Sequence, residues 1–206
     1  MAVDLRSLVS KLNEPCRKAL EDAAGLTMSR AHYNVEIEHW LLKLVEIDDG
    51  DIGRILSRYQ ADAGRLVGDL NRALDRLKTG NGQTPALSPQ VVELATNAWL
   101  WASINRQAHE IRSGHLLAAL LTDEAMADVA RNASPELARV PATALSRDFE
   151  AATEGSSEAA GSGGPGLREA ASIEMPPAPA ATLDTIAQGI DRLEAGLQEI
   201  ARSLKA

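Results

Sequence analysis

Apolar residues along the first part of the chain recur at intervals of three and four. Leu5, Leu8, Val9 and Leu12 are followed by Ala19, Leu20, Ala23 and Ala24, and later by Leu66, Leu70, Ala73, Leu74 and Leu77. Such spacing returns one face of a 3.6-residue helix to the same neighbour turn after turn. The helix starts are marked as well. Asn13-Glu14-Pro15 sets a capping side chain ahead of a first-turn proline, and Ser88-Pro89 puts proline at the first helical position, where its missing N–H costs no helical bond. Ser113-Gly114 and Thr182 are further caps, while Asp48-Asp49-Gly50 and Gly80-Asn81-Gly82 read as turns. No alternating run is long enough for a strand of useful length. The pattern predicts an all-α fold. Within it, the stretch 88–106 is apolar on several sides, with Val91, Ala95, Ala98, Trp99 and Ala102 on one face and Leu94, Trp101 and Ile104 elsewhere. It is expected at the centre of the bundle, with Trp101 buried.

The helical region repeats itself. Val35-Glu36-Ile37-Glu38-His39-Trp40-Leu41-Leu42-Lys43-Leu44 is echoed, about 75 residues on, by Ile111-Arg112-Ser113-Gly114-His115-Leu116-Leu117-Ala118-Ala119-Leu120. Each copy follows a long helix opened by Pro15 or Pro89, and each leads into a shorter apolar segment. The repeat predicts two similar four-helix units about a pseudo-twofold axis; two copies at this offset do not make an array. His39 and His115 fall at equivalent helix starts, and equivalent hydrogen bonding there is the expected role.

Beyond the repeat the composition changes. Residues 1–154 read as one helical domain, 155–181 as a flexible Gly/Ser/Ala/Pro linker, and 182–206 as an amphipathic or coiled-coil helix. In that last segment Leu183, Ile186, Ile190, Leu193, Leu197, Ile200 and Leu204 are spaced alternately by three and four, the seam of a coiled coil. Gly189 and Gly196 beside it each cost roughly 1 kcal/mol of helix propensity, so the tail is expected to order on a partner. Self-association, docking on another protein and fold-back onto the first domain all satisfy the pattern. Gly161-Ser162-Gly163-Gly164-Pro165-Gly166 matches a dinucleotide fingerprint in letters only, since no strand precedes it.

Charge and residue chemistry narrow the function. Twenty-nine acidic against 21 basic residues give a formal charge of −8, with no basic stripe for nucleic acid. No apolar run approaches a membrane span, and the N-terminus lacks a signal peptide's basic and apolar regions. Cys16 is the single cysteine, so no internal disulfide forms, and a soluble cytoplasmic protein is expected. His32, His39, His109 and His115 form no metal-ligand spacing. No G-x-S-x-G elbow is present to order a Ser/His/Asp set, and no G-x-x-x-x-G-K-[ST] loop to cradle a nucleotide. A non-enzyme without metal or cofactor is the expectation.

Two stretches carry a resemblance. Ala31-His32, Val35, Glu38-His39-Trp40-Leu41-Leu42 and Leu44, with the weaker Gly114-His115-Leu116-Leu117 and Leu120, resemble the double-repeat Clp N-terminal domain. The opening helix leading into Leu12-Asn13-Glu14-Pro15-Cys16-Arg17-Lys18-Ala19-Leu20 resembles the ClpV branch associated with type VI secretion. This likeness covers about residues 5–150. It implies docking of a short amphipathic helix from a sheath protein (TssC, also called VipB) in a groove beside the first helices. Carried onto this chain, the groove would involve Leu5, Leu8, Val9 and Leu12 facing Cys16, Ala19, Leu20 and Ala23. The same side chains would also serve as ordinary bundle core. ClpV proteins continue into ATPase modules, and these 206 residues contain none, whether they are part of a longer protein or a short protein keeping only the recognition domain. The rival expectation is an oligomeric scaffold or regulatory adaptor acting through its C-terminal helix.

Overall fold

Asn13 accepts the Cys16 N–H with its side chain at 2.9 Å, and Ser88 accepts that of Val91 at 3.3 Å. The two long helices therefore start at the two proline sites. The structure, a computed structural model, describes residues 5–161. The rest of the linker and the heptad positions Leu183 to Leu204 lie outside the described residues. The first half contains α1 (Leu5–Val9), α2 (Glu14–Ser29), α3 (Ile37–Val45), α4 (Asp51–Arg58) and α5 (Ala63–Leu74). The second contains α6 (Pro89–Arg106), α7 (Ser113–Thr122), α8 (Glu124–Ala133), α9 (Ala142–Arg147) and α10 (Phe149–Ala152). Short 3-10 turns cover Leu137–Arg139 and Ser157–Gly161. The all-α expectation is met, and among the described residues no helix is long and apolar enough to cross a membrane.

The halves exchange backbone hydrogen bonds reciprocally. The residues before α3 pair in parallel with those before α6, as β1 (Asn34–Val35) and β2 (Ala86–Leu87). Leu12, two residues before α2, forms a parallel bridge with Ile111, two residues before α7. Asn13 N–H donates to the Ile111 carbonyl at 2.9 Å, and Ser88 N–H to that of Val35 at 3.0 Å. Each repeat thus lends the approach to its long helix to the other repeat. Two-residue strands are too short to show alternation, which is why the sequence pattern contains no sign of them.

The central helix is α7, not α6. Every residue from Ser113 through Leu121 is buried. By contrast α6 buries Val91, Leu94, Ala95, Ala98 and Ala102, leaving Leu100 50% and Ile104 74% exposed. Trp101 is only partly covered, its ring 5.1 Å from Phe149 and 5.8 Å from His115.

The beginning of the presumed linker also belongs to the fold. Glu158 is 3% exposed, and its carboxylate accepts Asp51 N–H at 2.9 Å and Ser113 N–H at 2.8 Å. Nearby, Asp51 is fully buried and takes a two-pronged bond from Arg112, at 2.8 Å from Nε and 2.5 Å from Nη2. Gly114 is required there, because a Cβ would stand 2.8 Å from Asp51 Oδ2 and 3.0 Å from Phe149 Cζ.

The two repeat histidines do occupy equivalent roles. Nδ1 of His39 accepts Glu36 N–H at 3.0 Å, and Nδ1 of His115 accepts Arg112 N–H at 3.1 Å. With Nδ1 accepting, neutral His39 carries its proton on Nε2, 2.8 Å from Nδ1 of His32. Burial pushes both capping rings down to about 4, with His32 adding to the effect at His39 and Arg112 at His115. Unfolded histidines take up protons near pH 6.5. Between that value and about 4 the unfolded chain binds more protons, so stability is complete above pH 6.5 and falls as pH drops toward 4. Urea unfolding should lose on the order of 2–3 kcal/mol per ring across this interval, and the His39→Gln and His115→Gln variants should each flatten the slope. An unfolding free energy independent of pH from 6.5 to 4.5 contradicts the capping account.

Candidate functional site

A narrow apolar cleft lies where α1 packs on α6. Leu5, Leu8, Val9, Leu12 and Leu20 line it, facing Trp40, Leu87, Val91, Val92 and Ala95. Two pairs in this lining, Leu12 with Leu87 and Leu20 with Ala95, are each 75 residues apart. The cleft therefore lies between equivalent positions of the two repeats, with α1 added along one side. Beside α1 it is nearly closed, with free space of about 10 Å³, the room needed for one water. It shares Leu87 and Val92 with a wider recess of about 540 Å³, bordered by Pro89, Glu93, Thr96 and Asn97. Lys11 Nζ sits 4.8 Å from the Trp99 ring centroid and joins the end of α1 to α6, a cation–π contact.

Of the eight residues expected at the groove, five line it. Leu5 is 40% exposed and Val9 partly so, whereas Leu8 and Leu12 are buried. The remaining three, Cys16, Ala19 and Ala23, are placed in the core. Cys16 has its thiol 3.6 Å from Glu158 Oε2. Burial pushes that thiol well up, and the Glu158 carboxylate pushes it further, so the nucleophilic thiolate is suppressed. The lining positions outside those eight are Trp40, Leu87, Val91, Val92 and Ala95. The repeat offset was the available signal, since it relates Leu87 to Leu12 and Ala95 to Leu20.

The narrow part is lined only by Leu, Val, Ala and Trp side chains, with no titratable group among them. Such a lining offers apolar contact and no charged group, in a space that as it stands holds no more than one water. The Trp40 indole N–H is already spent on the Cys16 carbonyl at 3.3 Å. Among the described residues no group of three or more His, Cys, Asp or Glu side chains is placed to hold a metal ion.

A double-repeat helical bundle with an apolar cleft between its repeats is the class of fold this chain adopts. The chain belongs to the Clp repeat (R) N-terminal domain family, whose model matches residues 11–133. It is 32% identical over 158 residues to the chaperone protein ClpB of Yersinia enterocolitica, covering 77% of this chain and 18% of ClpB. It is 30% identical over 144 residues to the AAA+ ATPase ClpV1 of Pseudomonas aeruginosa, covering 70% of this chain and 16% of ClpV1. The chain thus spans less than a fifth of the length of these curated relatives. Among solved structures, one reported with the coevolution of the ATPase ClpV, the TssB-TssC sheath and the accessory HsiE protein in type VI secretion superimposes with a TM-score of 0.74. It is 29% identical and covers 76% of this chain and 97% of that one. A complex of a ClpV N-domain with a VipB peptide gives a TM-score of 0.64 at 30% identity, covering 77% and 96%.

The differing burial of the lining residues predicts a separation of effects. Leu12→Ala removes a buried side chain and should cost roughly 2–5 kcal/mol of stability. Leu5→Ala acts on an exposed side chain and should change it by less than about 0.5 kcal/mol. Urea denaturation of both variants checks this, and equal losses contradict the placement of α1.

Proposed function

We propose that this chain is a non-catalytic, cytoplasmic recognition domain that binds a short amphipathic helix of a type VI secretion sheath protein. The observation that carries this reading is the apolar lining beside α1, from Leu5 and Val9, that meets a wider recess along α6 at the shared residues Leu87 and Val92. Helix-in-groove recognition presents anchors at i, i+3, i+4 and i+7 to such a surface. The 30% identical ClpV N-domain bound to a VipB peptide supports a sheath helix as the partner class. Anchors would enter from the wide recess over Leu87 and Val92, and α1 would shift to admit them beside Leu5 and Val9.

The heptad positions Leu183, Ile186, Ile190, Leu193, Leu197, Ile200 and Leu204 favour a second reading, assembly through the tail. Several recognition domains in one particle would then bind a polymeric sheath with avidity.

Calorimetry with a VipB-type helical peptide tests the first reading. The full chain should bind it, and Val92→Asp, placing a charge on the half-buried groove wall, should weaken binding at least about tenfold with the helical circular dichroism unchanged. Absence of binding by the unaltered chain contradicts the proposal.

A further inference from the structure

Glu158 lies beyond the family match at 11–133, in a segment whose composition reads as linker, yet it is buried. Its Oε1 accepts the Asp51 N–H at 2.9 Å and the Ser113 hydroxyl. Its Oε2 accepts the Ser113 N–H at 2.8 Å and Asn13 Nδ2–H at 2.9 Å. One carboxylate therefore ties together the starts of α2, α4 and α7.

The link to Asn13 leads to the groove. Asn13 Oδ1 is committed to capping Cys16 N–H, so its Nδ2 has to donate, and Glu158 supplies the acceptor. The adjacent residue is Leu12, which lines the groove, and Lys11 accepts the Ile111 N–H through its carbonyl at 2.6 Å. We propose that Glu158 is a positioning residue for the groove. By orienting the Asn13 amide it fixes the α1–α2 junction, and hence where Leu8 and Leu12 stand when a partner helix arrives. The inference rests on the peptide-binding reading of that groove.

The segment carrying Glu158 is also held independently of the carboxylate. Ser157 N–H donates to the Asp49 carbonyl at 3.0 Å, Ser157 Oγ to that of Asp48 at 2.9 Å, and Arg54 Nη2 to that of Gly155 at 2.9 Å. A substitution at 158 therefore acts on the junction while the segment retains these other bonds. Glutamine in its place keeps one acceptor oxygen and turns an NH₂ group toward donors that the carboxylate satisfied.

The test uses the full chain with Glu158→Gln and Asn13→Ser. Serine still caps Cys16 N–H but is too short to reach Glu158, so this variant remains informative if Glu158→Gln fails to fold. Amide exchange at Leu8 to Leu12 is followed without peptide, and affinity for a VipB-type peptide by calorimetry. Each variant should show exchange accelerated about tenfold at the junction and affinity weakened about tenfold, within the usual range for coupled sites. The double variant should be no weaker than the worse single one, because both break the same link. Unchanged junction exchange in folded Asn13→Ser overturns the inference whether or not peptide binds. Silence of the unaltered chain in calorimetry, by contrast, counts against the peptide reading itself.

Discussion

The fold depends on a polar junction at its centre, where the starts of α2, α4 and α7 converge. Helix N-termini carry unpaired N–H groups and partial positive charge, and three of them meeting inside a protein require anionic acceptors. Asp51 and Glu158 provide these, and Arg112 balances Asp51 through a two-pronged bond. Removing one member of such a buried set strands the others, at roughly 3–5 kcal/mol for a broken buried ion pair. The junction also breaks the symmetry of the repeats. At the position equivalent to Arg112 the first repeat has the acidic Glu36, whose backbone N–H donates to His39. The reciprocal strand contacts relate the halves, and the charged junction distinguishes them.

This arrangement explains where the groove falls. The cleft gathers Leu12 with Leu87 and Leu20 with Ala95, the pairs that the repeat relates across 75 residues. Alanine at position 95 keeps that wall low, which permits close approach by a helix. Nothing in the first repeat alone, or the second alone, would form the surface. The extra helix α1 then covers one end and leaves the other open along α6. Its own hold is slight, since Leu8 is its only buried residue.

Features carried by local chemistry were legible in the sequence. Asn13-Glu14-Pro15 and Ser88-Pro89 mark helix starts that occur where the pattern places them, and the repeat of His39 at His115 correctly anticipated a shared hydrogen-bonding role. Features carried by distant contacts were not legible. The stretch 88–106 reads as a central helix because it is rich in apolar residues, but α7, with Ser113-Gly114-His115-Leu116-Leu117-Ala118-Ala119-Leu120-Leu121 all buried, holds that place. Its small, uncharged sequence shows little amphipathic contrast to read. Gly155-Ser156-Ser157-Glu158 has no apolar side chain, so its inclusion in the fold rests on the Glu158 carboxylate and a few other hydrogen bonds that composition does not reveal. At the groove, the resemblance pointed to Leu5, Leu8, Val9, Leu12 and Leu20, which line the cleft, and to Cys16, Ala19 and Ala23, which are core, while the residues of α6 are reached only by following the repeat across 75 residues.

In the proposed function a partner helix is received between the two repeats, against α1 and α6. Titrating isotope-labelled protein with a VipB-type helical peptide and following backbone amide resonances tests it most directly. The largest shifts should cluster at residues 5–12 and 86–97, with little change around Met28 and Tyr33, which are exposed apolar side chains outside the groove lining. Shifts centred on those two residues, or none at saturating peptide, would contradict it.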